Sequence, residues 1–363
     1  MDILGPDFLR IAFDIALVLA AMSAVVLGVI VLVRLAAQSE TVRAERFRRR
    51  AEPAVTAYLA GRDNAGKVVP ILQEHPALAL NLLMEISDRL PPAERPTLET
   101  LFTSLPLRAQ ESAALHSRRW ERRLQAAGRL GYLGDGVSVP ALLDALQDPV
   151  LAVRFAAARS LAALGQTPTI RNIMLAFDLP GEMNQRRVVE VLVLFGPAAA
   201  APLLEILEND DGTYSDNAVD VATRVLGLLR IDEAVEPITA LLAHSEFRVR
   251  LNAVRSLGLI GDHGSAEAVA RLAGDPAWEV RNVVMQSLGR MRSVRHTGLV
   301  ADALRDNSWW VRFSAAQALW NLGTEGREAL HAAMTGSPDR FAREMSRQVL
   351  EENGTLAARE ATL

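Results

Sequence analysis

The chain has 363 residues, enough for two ordinary domains or for one uninterrupted repeat array. Half of the residues are hydrophobic but only 5% are aromatic, a balance that suits close-packed helices better than sheets. The net charge of -4 is too small to indicate a nucleic-acid binder, and the lack of cysteine excludes disulfides, thiolate metal sites and a cysteine nucleophile.

After a short N-terminal segment (residues 1–14), Ile15 to Val33 is a run of 19 uncharged residues bounded by Asp14 and Arg34. That length predicts one transmembrane helix over residues 15–34. A buried soluble helix or a cleaved signal peptide are the alternatives; the latter wants a basic start, whereas this chain opens with Asp2 and Asp7 and holds only Arg10. Arg34, Arg43, Arg46, Arg48, Arg49 and Arg50 follow the run. This asymmetry predicts a single-pass protein of the bacterial inner membrane, N-terminus outside and the bulk cytoplasmic. The same arginines are candidates for anionic-lipid contact at about 1 kcal/mol each, or simply a solvated orientation signal. Residues 35–60 then read as a basic juxtamembrane helix or stalk.

Residues 61–116 read as degenerate or capping helices, broken at Gly61 to Gly66, His75-Pro76, Pro91-Pro92 and Leu105-Pro106. Beyond them one phrase recurs eight times, ending at Gly134, Gly165, Gly196, Arg230, Gly261, Arg292, Gly323 and Gly354. The steps are 31 residues except for one of 34. Four residues before each end stands a leucine: Leu130, Leu161, Leu192, Leu226, Leu257, Leu288, Leu319 and Leu350. Four earlier again comes a small or β-branched residue, from Ala126 to Ser346. These spacings put the apolar residues on one face of a helix that stops at a glycine turn.

Shorter apolar segments such as Val139 to Leu146 and Val235 to Leu242 lie between these helices. Each unit therefore reads as a short helix, a turn and a longer helix, and stacked units bury a core that no unit buries alone. The predicted fold is all-α: one transmembrane helix followed by an α-solenoid of about eight helical hairpins over residues 117–354, with a frayed tail at 355–363.

The phrases Asp275 to Met291 (DPAWEVRNVVMQSLGRM) and Ser245 to Asp262 (SEFRVRLNAVRSLGLIGD) resemble HEAT repeats of the short phycobilin-lyase type, and the likeness extends over about Ser117 to Gly354. The resemblance implies an armadillo-like scaffold. It also implies that the arginine column Arg123, Arg154, Arg250, Arg281, Arg312 and Arg343 hydrogen-bonds the turn of a neighbouring unit, here carrying Asp148, Asp275 and Asp306. A ladder facing an acidic partner is the alternative. Units three and four depart from the pattern, with Gln185 and Val219 in place of arginine.

Two further columns are candidate partner-binding sites. Phe247, Trp278 and Trp309, extended by Trp310, stand at the inter-helix turns, and aromatic rings on a rigid scaffold make good anchors; packing over the first turn of their own helices is the alternative. Arg159, Arg224, Arg255, Gln286 and Gln317 share an offset on the polar face of the longer helices, which serves either partner contact or solvation. A calcium loop at Asn209 to Tyr214 lacks the required ligand spacing. Arg118, Arg119, Arg122 and Arg123 around Trp120, with Arg186 and Arg187, form a basic patch of a kind that meets phosphate in DNA-processing HEAT-like enzymes, a role at odds with a membrane anchor.

No catalytic set is legible. The six histidines are scattered and none precedes a glutamate, so the paired His-Glu iron ligands of HEAT-type deoxyhypusine hydroxylases are missing. Neither a phosphate-binding glycine loop nor a G-x-S-x-G elbow occurs. The expectation is a non-catalytic, membrane-anchored scaffold or adaptor that binds protein partners, with no cofactor, no metal and no nucleic acid. An enzyme or accessory subunit resembling the phycobilin lyases is the alternative, and a nucleic-acid-binding HEAT-like protein the third reading.

Overall fold

The computed structural model describes residues 6–91, 93–133, 136–178, 182–209 and 213–360, and among them every regular element is helical. The chain forms two compact units. One comprises Met1–Glu111 with Tyr132–Gly134, the other Ser112–Gly131 with Asp135–Leu363. The end of the first repeat's long helix, Tyr132–Gly134, is grouped with the N-terminal unit. Tyr132 explains that assignment: its hydroxyl donates to Asp88 at 2.7 Å and its ring lies 5.6 Å from Phe102.

In the N-terminal unit a single helix runs from Pro6 to Leu59, without a break between the uncharged run and the basic stretch that follows it. Gly28 costs only helix propensity, and the helix runs on through Pro53 although a proline there forfeits one backbone bond and crowds the preceding turn. The rod ends where Gly61 takes a left-handed φ of +67°. Phe47, Ala51 and Val55, spaced by four, form its buried stripe against helices Ala65–Glu74 and Pro76–Arg89. The uncharged run Ile15–Val33 falls in part on side chains outside the described residues. Its described apolar side chains, among them Leu17, Val25 and Leu27, are exposed, and among the described residues no single helix is long and apolar enough to cross a membrane. The bent pair Asn184–Val193 and Gly196–Glu208 has the length and composition. However, Val188, Leu192, Leu203 and Ile206 are buried, so its apolar face belongs to the repeat core.

The second unit is the solenoid. Its longer helices are Trp120–Leu133, Leu151–Ala163, Glu182–Val193, Asp216–Leu229, Phe247–Ile260, Trp278–Arg290, Trp309–Asn321 and Arg340–Glu360. Each of the first seven contributes a leucine at 0% exposure, from Leu130 to Leu319, whereas Leu350 of the last is only half-buried. Burying such a leucine contributes about 1.5–3 kcal/mol. The terminal column adopts the left-handed conformation at Gly165, Gly196, Gly261 and Gly323, and Arg230 and Arg292 adopt it as well, at φ 54° and 49°. The last long helix continues through Gly354 to Glu360, where Leu356 to Glu360 are good helix formers.

Neighbouring long helices meet through a feature that the apolar columns do not predict. The hydroxyls of Ser160, Ser256 and Ser287 donate to the carbonyls of Ala127, Thr223 and Val254 in the preceding repeat, at 2.7, 2.9 and 3.0 Å. Gly131, Gly227 and Gly258 make room for them: a Cβ on any of the three would stand 2.6 Å or less from the serine Oγ. Ala162 and Val193 occupy the glycine position in repeats two and three, so this clamp is confined to the start and to the second half of the array.

Candidate functional site

The arginine column is structural where its carboxylate partners exist. Arg123, Arg250 and Arg281 each grip the aspartate of the next repeat with a two-pronged bond, to Asp148 (2.5 and 3.0 Å), Asp275 (2.8 and 3.0 Å) and Asp306 (2.8 and 2.9 Å). The same guanidinium donates back to the turn before its own helix, for example Arg281 to the Asp275 carbonyl at 2.8 Å. Each aspartate also accepts from a backbone N–H two residues on, which closes the turn just before the following helix. Arg123 holds the Asp148 carboxyl below its usual range. For Asp275 and Asp306, burial pushes upward, but the arginine and the backbone N–H two residues on outweigh it and the net shift is downward. Arg312 lacks this partner because Ser337 occupies the aspartate position; its Nε is buried without a hydrogen bond among the described residues, and its guanidinium lies over the Phe341 ring. Arg154 donates instead to the Ala176 carbonyl.

The aromatic column is open to solvent: Phe247 is 39% exposed, Trp278 38%, Trp309 46% and Trp310 55%. Trp309 stacks on Phe313 one turn along its own helix, at 5.3 Å between centroids, and meets Trp310 edge-on. That ring therefore packs on its own first turn while keeping an open face.

The predicted polar and aromatic columns converge at one place. A groove of about 630 Å³ crosses repeats three to six, and its walls include Phe247, Arg224 and Arg255. Gln185 and Arg186 border it from repeat three, and Glu279 from repeat six. Its floor is Asp220, 6% exposed, which accepts a hydrogen bond from the Asn252 amide and lies 3.6 Å from the Arg224 guanidinium. Arg255 donates in turn to the Asn252 carbonyl oxygen at 2.8 Å, so a polar chain links repeats four and five. Burial raises the Asp220 carboxyl above its usual range, although Asn252 and Arg224 pull the other way. Arg255 is exposed on its outer side, yet burial together with the positive charges of Arg224 and Arg290 lowers its guanidinium.

The remaining predicted residues lie elsewhere. Gln286 donates to Ser314 in the next repeat at 3.2 Å; Gln317 is half-buried, and Arg159 is exposed. In the N-terminal unit, Arg48 forks onto Glu85 and Arg50 onto Glu74, at 2.9–3.1 Å, and Arg49 pairs with Glu45. Half of the basic cluster thus fastens or shields its own unit, while Arg34, Arg43 and Arg46 stand exposed. The polar turn Asn209 to Tyr214 falls partly on residues 210–212, outside the described residues. Among the described residues no cluster of three or more histidine and acidic side chains is placed to hold a metal.

Asp220, Asn252 and Gln185 were not legible as site residues. The signal for Asp220 was present: a carboxylate between Val219 and Val221, in the one repeat where valine replaces the column arginine.

The comparison with curated proteins finds no match. Among solved structures, the chain is similar to the CpcE–CpcF complex of phycocyanin lyase from Nostoc sp. PCC7120, at 18% identity and a TM-score of 0.33, covering 68% of this chain and 94% of that one. It is also similar to human deoxyhypusine hydroxylase, at 22% identity and a TM-score of 0.30, covering 75% and 96%. For the karyopherin Kap121p bound to the C-terminus of the phosphatase Cdc14p, the values are 12% and 0.49, covering 85% of this chain and 40% of that one. Likenesses this distant bring no activity or partner with them. The family described as HEAT repeats, by contrast, matches residues 111–175, 202–289 and 266–351, more than half of the chain and the stretch that forms the solenoid. Its register of buried leucines and left-handed turns is the one the structure contains, and the chain belongs to the HEAT-repeat family.

Proposed function

We propose that this protein is a non-catalytic adaptor, tethered to the bacterial inner membrane, whose solenoid binds a protein partner on the cytoplasmic side. The observation that carries the binding reading is the groove across repeats three to six, where an exposed aromatic ring and several arginines meet on the surface of a rigid stack. Support for the tether comes from sequence: the uncharged run Ile15 to Val33 and the arginines that follow it. Arg34, Arg43 and Arg46 are the residues available for anionic headgroups.

Affinity capture from native membranes in mild detergent tests the binding reading. A partner held by the intact chain and lost from an Arg186→Gln/Arg255→Gln variant of unchanged thermal stability supports the groove. A partner held equally by both moves the site to the Trp278, Trp309 and Trp310 ridge. For the tether, carbonate-washed membranes should retain the intact chain and release one lacking residues 1–38. A reporter fused after Gly354 that proves periplasmic would overturn the orientation.

A further inference from the structure

Resting on the adaptor reading, the charge of the groove narrows the partner's chemistry. Arg186, Arg224, Arg248 and Arg255 line it against only Asp220 and Glu279, so positive charge is in excess. The balance at the floor sharpens this. Asp220 is already engaged by Asn252 and Arg224, and being 6% exposed it offers little to a ligand. Arg255 is fixed from within by Asn252 while its outer side is exposed, and Arg186 on the opposite wall is exposed too. Two guanidinium groups thus face outward across a groove whose own carboxylate is spoken for. The crowding of Arg255 by Arg224 and Arg290 is of the kind that an incoming anion relieves. Between the arginines, the half-exposed Phe247 ring and Leu251 give the groove an apolar wall.

We propose that this groove takes an extended acidic segment of the partner protein, with carboxylates on Arg186 and Arg255 and an intervening apolar side chain against Phe247 and Leu251. Arginine suits the role because its fork grips a carboxylate with two hydrogen bonds, as Arg250 already grips Asp275 within the stack. The charge excess also speeds encounter with an acidic chain and makes binding sensitive to salt.

The test is selection of random displayed octapeptides on the full-length protein in detergent micelles, repeated with the Arg186→Gln/Arg255→Gln variant. The expected winners carry two or more Asp or Glu around an apolar residue. One of them, resynthesised, should bind about tenfold more weakly to the variant and about tenfold more weakly when its acids become amides. Its affinity should also fall as salt rises. Winners that are basic or neutral and bind the variant equally would overturn the acidic assignment and leave the adaptor reading standing. If no peptide is enriched on either form, both readings of the groove fall. A single-stranded oligonucleotide that displaces the acidic peptide at lower concentration than the peptide itself would assign the groove to nucleic acid and overturn the proposal.

Discussion

Ser287 sits on Gly258 of the preceding repeat so closely that a Cβ on the glycine would be 2.4 Å from the serine Oγ and 3.0 Å from its Cα, and the hydroxyl uses this proximity to reach the Val254 carbonyl. Helix propensity alone would favour alanine at position 258; packing reverses that preference. Gly258→Ala should destabilise the array by about 1–3 kcal/mol, as overpacking does in tight cores. Adding Ser287→Gly should recover part of the loss. Urea unfolding of the two single variants and the double variant measures the coupling, and strict additivity would show that the two residues do not touch.

Asp275 joins a two-pronged arginine bond to the turn before the next helix, and its removal leaves the largely covered Arg250 guanidinium with backbone carbonyls but no counter-charge. Asp275→Ala should therefore cost about 3–5 kcal/mol, more than a surface pair would. The opposite change is available one repeat from the end: Ser337→Asp would give Arg312 the carboxylate it lacks. We expect a gain of about 1 kcal/mol, read as a higher thermal midpoint. A loss would mean that Phe341 closes the space the carboxylate needs.

The two kinds of buried aspartate give opposite pH responses. Asp148, Asp275 and Asp306 are held below their usual range, so the stability they contribute is fully present above about pH 4, the unfolded value, and is lost as pH falls through the lower folded values. Asp220 is raised by burial, so its contribution is present below the unfolded value and lost as pH rises through the folded one. Asp220→Asn should therefore raise the thermal midpoint at neutral pH and leave it unchanged near pH 3. A midpoint lowered at neutral pH would mean that the charge, paired with Arg224, is a net asset.

Arg292 holds a left-handed φ of 49° where four sister repeats use glycine. For a residue with a side chain that conformation costs about 1–2 kcal/mol. Arg292→Gly should relieve the strain but loosen the unfolded chain, leaving a net gain of about 0.5–1 kcal/mol. Chemical denaturation of the single variant checks it.

Fold was legible in the sequence because the solenoid repeats its physics every 31 residues. A buried leucine, a small neighbour and a left-handed turn must recur in register if each hairpin is to cover the next. Arg123, Arg250 and Arg281 were legible for the same reason, since each needs an aspartate at a fixed spacing. The clamp of Ser256 on Gly227 was not, because glycine inside a helix reads as a local weakness until the partner helix is seen beside it. Asp220 and Asn252 also stayed hidden. They meet across two repeats, and their pairing depends on the lateral stagger of neighbouring helices, which no single column encodes. Arg224 and Arg255 were visible on one column and Phe247 on another; only the stacking shows that they border one groove.

The bridges also divide the array mechanically. Gly–Ser clamps join repeats four to five and five to six, and the bonds of Arg250 and Arg281 join five to six and six to seven, so under tension repeats four to seven should yield together as one block. The junctions from repeat two to three and from three to four have neither tie, with Ala162 and Val193 at the glycine position and Gln185 in the arginine column. A load drawn through the protein would be released there first. The groove begins at that same junction, on Gln185 and Arg186, so a partner seated in it would splice the compliant stretch to the stiff one, and occupancy would register as a higher rupture force.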